Sequence, residues 1–318
     1  MKKILILGGT GFVGRHLCEK LAARQWRATV VTRRLSSARH LQMLPMVDVA
    51  EVGKADGNEL VSLMAGHDAV VNLVAILHGD VQAFETAHVQ FPLQVARACE
   101  AAGMRRIVHL SALGASADAP SHYLRSKARG EALLRDAGLA LSVLRPSVIF
   151  GSEDRFLNTF ARLQQAFPVI PLAGGRARFQ PVWVEDVAEA IALCLDRRET
   201  IGQTYEACGP EVFTLKELVQ LAGRYAGVDE GRGRAVIDLP DVLGRLQARL
   251  MELAPGQPLL SRDNLDSMRV DNVATGAFPG LESLGIRPAP IAAVAPFYLA
   301  SRGLRSGLIA KRKTAGRF

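Results

Sequence analysis

Short apolar runs alternate with segments of helical periodicity along the first half of the chain. Ile4–Leu7 is a continuous apolar run that stops at Gly8, and Val13, Leu17 and Leu21 then recur at helical spacing. Because the apolar runs have no polar face, they are typical of buried parallel strands. The pattern predicts repeated βαβ units in one doubly wound parallel sheet of an α/β protein. Further strands are predicted at 28–31, 47–52, 69–75, 106–110 and 141–144. Helices are predicted at 58–65, at 82–102 with an interruption at Pro92, and at 121–136.

The alternation becomes less regular beyond Gly151. A Pro/Gly-rich stretch passes through Gly174 and Gly175, and the periodicity predicts helices at 156–165 and 185–195 and a strand at 180–184. We therefore expect later strands to leave the pattern of the main sheet.

Two more helices are predicted in the last third of the chain. Thr214–Glu217 has the spacing of a capping box and predicts a helix start. Residues 242–253 predict a helix ended by Pro255 and Gly256. Its leucines form an apolar stripe, which favours core packing and would also suit a partner surface. They are Leu243, Leu246, Leu250 and Leu253.

Composition favours a folded protein without secretory or membrane-spanning segments. Of the 318 residues, 49% are hydrophobic and 22% charged, as in ordinary globular chains. No signal-peptide pattern and no run of about 18 apolar residues occurs. The four cysteines form no C-x-x-C pair, so neither a zinc site nor a disulfide framework is indicated and no metal is expected. These features predict a cytoplasmic protein with reduced thiols.

The net charge of +8 is concentrated at the C-terminus. The last seventeen residues contain Arg302, Arg305, Lys311, Arg312, Lys313 and Arg317. We interpret 304–318 first as a solubilising basic tail and second as a segment for peripheral contact with an anionic membrane on its inner face. Nucleic acid is not expected as a partner, because no aromatic residues interleave with these charges.

A glycine pattern joins the first predicted strand to the first predicted helix. Gly8 would let the chain turn sharply, Gly11 would let the backbone approach a pyrophosphate, and Gly14 would allow close helix packing. The start of the helix would present free N–H groups to the anion. The pattern predicts dinucleotide binding rather than a merely structural turn. The predicted contacts are Gly8, Thr10, Gly11, Phe12, Val13 and Gly14.

The end of the second predicted strand favours NADPH over NADH. A protein selective for NAD usually has an acidic residue there, whereas this chain has Thr32, Arg33 and Arg34. Two guanidinium groups can form charge-assisted hydrogen bonds with a 2′-phosphate. The alternative is that both arginines are exposed loop residues.

A tyrosine and a lysine at i and i+4 carry the candidate catalytic chemistry. Tyr123 and Lys127 would share one face of a predicted helix, and the ammonium would lower the pKa of the phenol. Ser111 would lie at the carboxyl edge of the sheet and orient a substrate oxygen. The alternative is a solvated helix face, since only twelve positions separate Ser111 from Tyr123. His109 is interpreted as a packed strand residue and His122 as an exposed one.

With these glycines, Tyr123 and Lys127 in order, the chain resembles the extended and atypical short-chain dehydrogenases/reductases. Three further segments are similar to the bacterial relatives of the Rossmann-type accessory subunit of respiratory complex I. They are Arg145–Asn158, Val182–Ala188 and Leu260–Asn264. The resemblance extends over nearly the whole chain.

This resemblance implies a Rossmann-type dinucleotide domain at 1–150, with later segments near 180–210 returning to it, and a smaller C-terminal α/β lobe at 151–303 for a substrate or partner. It also implies that Pro146, Ser147 and Val148 lie near the nicotinamide. Val74 and Ala75 join the predicted cofactor contacts. Gly53 stands where many extended members have an acidic or amide side chain near the adenine, so we assign that role to Asp56 or to backbone groups.

Three functions remain open at this point. The first is an NADPH-dependent oxidoreductase acting on a quinone-related or other apolar carbonyl compound. The second, implied by the resemblance, is a nucleotide-bound accessory or assembly protein for respiratory complex I or ubiquinone biosynthesis. The third is a sensor of the NADPH/NADP ratio.

Overall fold

The computed structural model describes residues 1–53, 57–253 and 258–300. Asp56, the Pro255–Gly256 helix end and the tail at 304–318 therefore lie outside the described residues. The chain divides into two compact units. The first unit consists of Met1–Ser147, Val184–Cys208 and Ala274–Arg287, and the second of the remaining segments.

Seven parallel strands form the sheet of the first unit within the described part of the chain, in the order β3-β2-β1-β4-β5-β6-β11. Elements are numbered along the chain. The strands of this sheet are β1 (Lys3–Leu7), β2 (Arg27–Thr32), β3 (Val47–Glu51), β4 (Ala69–Asn72), β5 (Arg106–Leu110), β6 (Ala140–Pro146) and β11 (Thr204–Ala207). The order reverses between β1 and β4, and ligands bind beside such a reversal at the carboxyl ends of the strands.

Helices accompany this sheet. They are α1 (Phe12–Ala23), α2 (Gly57–Met64), α3 (Val81–Glu85), α4 (Phe91–Ala101), α5 (His122–Asp136) and α7 (Val184–Asp196). A π-helical segment, Thr86–Gln90, joins α3 to α4, so 81–101 is helical throughout. α2 and α4 pack together, and α7 packs against α1 and β5.

The core of the first unit follows directly from the apolar strands. Val70 of β4, Ile107 of β5 and Val143 of β6 have no exposed surface and contact the apolar faces of α2 and α4. Burial of aliphatic side chains on adjacent strands is the main favourable contribution to folding of such a sheet. The Rossmann-type α/β fold that the sequence predicts is confirmed.

The second unit is built from shorter elements. Its strands are β7 (Ile149–Phe150), β8 (Val169–Leu172), β9 (Arg178–Phe179), β10 (Val182–Trp183), β12 (Phe213–Thr214) and β13 (Ala235–Asp238). They pair as β7 with β10, β8 with β13, and β9 with β12. Its helices are α6 (Leu157–Ala166), α8 (Leu215–Tyr225), α9 (Asp241–Glu252) and α10 (Arg262–Ser267), and residues 291–300 are also helical.

The core of the second unit lies between α6, α8 and residues 291–299. Phe150, Leu218 and Ala295 are buried together there. The predicted capping box at α8 is confirmed, since the Thr214 hydroxyl accepts a hydrogen bond from the Glu217 N–H and the Glu217 carboxylate accepts one from the Thr214 N–H. This reciprocal arrangement satisfies two backbone donors at the helix start.

Some sequence predictions about elements were wrong. The helical segment 81–101 is not interrupted at Pro92. The strand predicted at 180–184 is only two residues long, because α7 begins at Val184. β4 ends at Asn72 rather than Ala75, because the Asn72 side chain accepts a hydrogen bond from the Val74 N–H and turns the chain. The leucine stripe of α9 does not pack into a core: Leu246 and Leu250 are more than half exposed, and the helix buries Gly244 and Ala248 instead.

None of the helices in the described part of the chain has both the length and the apolar character needed to span a bilayer.

Candidate functional site

The glycine turn lies at the carboxyl end of β1. Gly8 has a φ of +84°, a left-handed conformation that favours glycine. A Cβ at Gly8 would lie 3.1 Å from the Leu73 carbonyl carbon and the Val74 nitrogen, so the turn and the loop after β4 are in close contact. The Gly11 N–H donates to the Gly8 carbonyl at 3.1 Å, and α1 begins at Phe12.

Gly14 fixes the first turn of α1 against this loop. An added Cβ would lie 2.4 Å from the Gly9 Cα, a distance that real Cβ atoms do not reach. Thr10 and Phe12 are half-buried, Val13 is buried and Gly11 is exposed. The start of α1 therefore offers backbone N–H groups beside a glycine surface without side chains, which fits the pyrophosphate of a dinucleotide.

The carboxyl end of β2 presents the two predicted arginines. Arg33 and Arg34 are exposed, and neither forms an ion pair with another described residue. Buried Thr32 orients the turn, because its hydroxyl donates to the Arg34 carbonyl at 3.0 Å. Both guanidinium groups are thus available to an anion at this end of the strand.

Glu51 is a neighbour of these arginines that the sequence did not indicate. It is the last residue of β3 and is paired in register with Thr32, and its carboxylate accepts a hydrogen bond from the Leu35 N–H at 3.1 Å. An acidic side chain therefore lies next to the end of β2, although it belongs to the adjacent strand. Only the register of two parallel strands reveals it.

The loop after β4 contains the predicted contacts Val74 and Ala75. Val74 is half-buried and Ala75 is exposed. Asn72 holds the start of the loop, and the Ile76 N–H donates to Nε2 of His88 at 3.0 Å, which holds its end. The loop is therefore fixed at both ends by side chains.

Tyr123 and Lys127 both lie in the first half of α5, as the spacing predicts. The Lys127 side chain is only 2% exposed, and its Nζ donates to the Leu110 carbonyl at 2.7 Å. Tyr123 is half-buried against Ala112 and Ala119. The tyrosine is thus held at the carboxyl edge of β5 together with the lysine.

Ser111 follows β5 directly. It is 4% exposed, and its Oγ has no hydrogen-bond partner among the described residues. A buried hydroxyl without a partner is costly unless a ligand or water pairs with it. The same holds for Nδ2 of Asn72 and Nδ1 of His109, which lie side by side on β4 and β5.

The prediction that Lys127 lowers the pKa of Tyr123 was wrong. Burial raises the pKa of Tyr123 to about 12, and no lowering by the ammonium offsets it. Burial also lowers the pKa of Lys127 to about 8, although Glu131 acts in the opposite direction. The lysine is directed to the Leu110 carbonyl. The phenol is therefore protonated at neutral pH.

His88 is a residue of this region that sequence reasoning missed. It is 2% exposed, its Nδ1 lies 2.9 Å from Oγ of Ser126, and its ring lies edge-on to Tyr123 at 5.5 Å. Because Nε2 accepts from Ile76 and the Ser126 hydroxyl donates to the Tyr123 carbonyl, the imidazole is neutral with its proton on Nδ1. Burial, followed by the charge of Lys127, lowers the pKa of His88 to about 3.

His109 and His122 lie where the sequence predicts. His109 is buried within β5, and burial lowers its pKa well below the usual value, so it is neutral. His122 is exposed at the start of α5.

The predicted nicotinamide contacts are divided between the units. Pro146 ends β6, and the N–H of buried Ser147 donates to the Ala207 carbonyl at 3.1 Å. Val148 is the first residue of the second unit, where its N–H donates to Oδ1 of Asn272 at 3.1 Å. Their contact with a nicotinamide stays a prediction.

Comparison with protein families gives one matching model, the NAD dependent epimerase/dehydratase family, over residues 4–208. The matched range begins at β1 and ends just after β11, so it includes the whole parallel sheet.

Two relatives illustrate the range of curated proteins that are similar to this chain. The mitochondrial NADH dehydrogenase [ubiquinone] 1 alpha subcomplex subunit 9 of Rattus norvegicus is 31% identical over 297 residues, covering 90% of this chain and 76% of the relative. The ceramide reductase of Caulobacter vibrioides is 30% identical over 193 residues, covering 60% of each chain.

Among solved structures, a dTDP-glucose 4,6-dehydratase of Streptomyces venezuelae, determined with NAD bound, has a TM-score of 0.71 to this chain. The identity is 21%, over 96% of this chain and 97% of the other. At that identity the likeness concerns the fold.

Proposed function

The chain belongs to the NAD-dependent epimerase/dehydratase family, and from that membership we propose that it binds NADP(H) and reduces an apolar carbonyl compound. The observation that carries the cofactor part is the left-handed turn at Gly8 with Gly14 packed on Gly9. Two contacts on either side of buried Ser111 support the chemical part: Lys127 donates to the Leu110 carbonyl, and Tyr123 packs against Ala112.

The proposed cofactor contacts follow the carboxyl edge of the sheet. The N–H groups at the start of α1 would hold the pyrophosphate, and Val74 and Ala75 of the loop after β4 would contact the cofactor between its two halves. Lys127 would hold a ribose hydroxyl once its Nζ leaves the Leu110 carbonyl, which lies 2.7 Å away. NADPH supplies a hydride when bound.

Preference for NADPH rests on Arg33 and Arg34. Both are exposed and unpaired with any described carboxylate, so a 2′-phosphate would gain charge-assisted hydrogen bonds without breaking existing ones. Glu51 is engaged by the Leu35 N–H, which reduces its availability as an acceptor for ribose hydroxyls. NADH is therefore the weaker ligand in this proposal.

Tyr123 is the proposed proton donor. Its phenol, protonated at neutral pH because burial raises its pKa to about 12, would give a proton to the carbonyl oxygen while Ser111 Oγ donates a hydrogen bond to the same oxygen. A quinone-related or long-chain carbonyl substrate would suit the half-buried aromatic and aliphatic surroundings of Tyr123.

The experiment that tests this function measures the loss of 340 nm absorbance when NADPH-loaded protein meets ubiquinone analogues, quinone precursors and long-chain ketones. Tyr123→Phe is compared with Tyr225→Phe, which changes a tyrosine of α8 in the second unit. We expect oxidation by the native protein and by Tyr225→Phe, and a loss of at least about 100-fold in Tyr123→Phe. Equal rates in both variants would reject Tyr123 as the donor.

An accessory role is the second candidate. Lys127 is already satisfied by the Leu110 carbonyl and Tyr123 has a high pKa, so the pair as it stands is compatible with a cofactor that is held but not used. The similarity to a complex I subunit over 90% of the chain favours a respiratory or quinone-pathway protein as the partner. NADPH that stays bound and reduced across the whole panel would move this candidate ahead.

One further prediction depends on where the protein acts. A cytoplasmic protein held peripherally at the inner face of a membrane would bring Tyr123 close to apolar substrates or to a respiratory partner. The basic tail at 304–318 is the proposed electrostatic contact, since it carries positive charge without any acidic residue. Removal of residues after Gly303 would weaken that contact and leave NADPH binding unchanged.

A further inference from the structure

α9 has its large and small apolar residues on opposite sides. Gly244 and Ala248 are buried, and a Cβ at Gly244 would lie 2.7 Å from the Cβ of Ala173, so this side packs on the second unit. The large apolar residues face away from it. Their exposed fractions are 79% for Val242, 50% for Leu243, 53% for Leu246, 61% for Leu250 and 78% for Leu253.

At about 100° per residue, these five side chains cover an arc of roughly 100° on one side of the helix. The buried glycine and alanine lie nearly opposite. Arg249 and Arg245 border the arc along one edge; Arg249 is exposed, and Arg245 is paired with Asp266 at 2.9 Å. An aliphatic stripe bordered by arginines is typical of helices that lie in the plane of a membrane interface.

We propose that α9 inserts its aliphatic stripe into the surface of an anionic membrane and holds the second unit there. The helix has 12 residues, about 18 Å, too short to cross a bilayer but suited to lying in the headgroup region. The proposal does not rest on the cofactor or on the reaction at Tyr123.

Positive charge at the C-terminal end of the second unit supports an anionic membrane as the surface that α9 binds. Residues 301–318 contain six basic residues and no acidic ones, and they follow the helical segment 291–300, in which Phe297 is 81% exposed. Stable attachment to a membrane commonly needs two signals, one apolar and one electrostatic. The aliphatic stripe supplies the first signal and the C-terminal charge the second.

The composition of the stripe favours lipid over a protein partner. It contains only leucine and valine, which are under-represented among the residues that dominate protein–protein binding, and no aromatic side chain. A lipid surface needs no shape complementarity, so the aliphatic side chains of α9 do not have to fit a particular partner surface. A protein partner is therefore an outcome of the test and not the proposal.

The test measures cosedimentation of the full chain with vesicles of phosphatidylcholine alone and of phosphatidylcholine with about one third phosphatidylglycerol, at low and high salt. Leu246→Gln/Leu250→Gln is compared with Met43→Gln/Ile201→Gln, which changes exposed apolar residues of the first unit. We expect the α9 variant to bind the anionic vesicles at least about tenfold more weakly at both salt concentrations, and the control to bind as the native protein does.

Two results of this test would overturn the proposal. The first is an α9 variant that binds as tightly as the native protein, since attachment would then depend on the basic tail alone. The second is a native protein that stays in solution with both kinds of vesicle. In either case the NADPH oxidation assay would be unaffected, so failure here is distinguishable from failure of the proposed reaction.

A second measurement locates the helix. Cys18, Cys99, Cys194 and Cys208 are all buried, so an environment-sensitive thiol dye will react selectively with an introduced cysteine. We expect a blue shift on adding anionic vesicles with the dye on Leu246→Cys, and none with it on Gln247→Cys, about 100° further around α9. A blue shift at position 246 that appears with rising protein concentration and without vesicles would instead indicate a second protein copy and overturn the proposal.

Discussion

A single imidazole, that of His88, connects two predicted parts of the cofactor site. Nε2 accepts from the loop after β4, and Nδ1 is joined through Ser126 to the backbone of Tyr123. The ring also packs against Phe84 and Tyr123. Because both nitrogens are used, protonation of His88 would break one of these bonds. Burial, followed by the charge of Lys127, lowers the pKa of His88 to about 3, so the ring stays neutral.

The arginine pair makes a prediction about cofactor choice. Arg33→Ala/Arg34→Ala removes both charges at the end of β2, so we expect the ratio of NADPH to NADH affinity to fall about 10- to 100-fold. Fluorescence titration with each nucleotide measures the ratio. Arg105→Ala, an exposed arginine next to the start of β5, serves as the control. An unchanged ratio in the double variant would contradict the assignment.

Lys127 makes a prediction about alkaline pH. Its pKa is lowered by burial to about 8 in the folded protein and is about 10.4 in an unfolded chain. Between these values the unfolded state binds more protons, so the contribution of Lys127 to stability rises with pH. We therefore compare the native protein with Lys127→Met. Between pH 7 and pH 10 the free energy of unfolding of the native protein should rise by about 2 kcal/mol relative to that of the variant.

Denaturant titrations at several pH values measure this difference. Burial raises the pKa values of Tyr123 and of thiols such as Cys18 to about 12, so these groups lower the free energy of unfolding at alkaline pH. Both proteins contain them, so the subtraction removes their contribution. A difference that stays constant with pH would mean that Lys127 is not desolvated in the folded protein.

The sequence was sufficient to predict the residues whose role depends on backbone geometry. Gly8 and Gly14 were identified because a sharp turn and a close packing contact each require the absence of a Cβ. Glu51 and His88 were not, because their roles depend on strand register and on the π-helical segment between α3 and α4. Neither can be read from spacing along the chain.

At the scale of elements, α1 and α7 are joined through one carboxylate that two side chains of α1 contact. His16 and Lys20 of α1 both contact the carboxylate of Glu185 in α7, the lysine at 2.9 Å. The hydrogen bond with His16, followed by that with Lys20, lowers the pKa of Glu185 to about 2. Because α7 comes from a distant part of the chain, this contact holds two remote segments together.

These contacts of Glu185 predict that the protein is sensitive to acid. The folded pKa of Glu185 is below its unfolded value, so its stabilisation is present above about pH 4.5 and is lost as the pH falls towards 2. Glu185→Gln should lower the free energy of unfolding by about 1–3 kcal/mol at pH 6 and by much less near pH 2. Glu100→Gln, an exposed glutamate of α4, is the control. Equal losses at both pH values would exclude a charge effect.

The contact between α4 and α5 depends on a proline and a glycine. Pro92 has no N–H, which leaves the His88 carbonyl without its usual helical donor, and the π-helical segment 86–90 directs that carbonyl towards Gly130. A Cβ at Gly130 would lie 1.8 Å from the His88 oxygen. α5 can approach this closely only because position 130 lacks a side chain.

Gly130→Ala should therefore destabilise the protein by about 2–3 kcal/mol, since the added methyl forces the helices apart. It should also weaken NADPH binding, because His88 and Tyr123 would shift together. Gly57→Ala is a matched control, as Gly57 begins α2 and a Cβ there has no neighbour within 4 Å. Thermal melts with and without NADPH measure both effects. Equal stability of the two variants would contradict the packing argument.

Long elements were predicted well and short ones were not. β5 was predicted with its observed bounds, and the ends of the helical segment 81–101 within one residue, because periodicity over many residues averages out local exceptions. The interruption expected at Pro92 is absent, because the proline lies in the first turn of α4, where its missing N–H is tolerated. Two-residue strands such as β9 and β12 carry no periodic signal, since tertiary contacts alone define them. The orientation of α9 was missed for a related reason: its buried side is glycine and alanine, which pattern analysis counts as neutral.

At the scale of the whole molecule, the first unit is completed late in the chain. β11 pairs with β6, and α7 packs against α1 and β5, yet both come after the first segment of the second unit. A third segment, 274–287, is tied in through Glu206, whose carboxylate accepts hydrogen bonds from the N–H groups of Thr275 and Gly276. The first 147 residues are therefore not a complete unit.

A fragment of residues 1–147 tests this organisation. It would expose the edge of β6 and the apolar surface that α7 covers, so we expect aggregation or a broad, non-cooperative melt where the full chain melts cooperatively. Size-exclusion chromatography and circular dichroism distinguish these results. A monomeric fragment with a sharp transition would show that β11 and α7 are dispensable for folding of the sheet.

The pairing of β6 with β11 also has a consequence during translation. Pro146 ends β6 and Thr204 begins β11, so roughly 60 residues must be synthesised before the strand that covers this edge leaves the ribosome. At about 5–20 residues per second, the nascent sheet keeps one open hydrogen-bonding edge for several seconds. Slow translation between these strands would prolong that interval, and a nascent-chain chaperone that shields open strand edges would raise the yield of native protein.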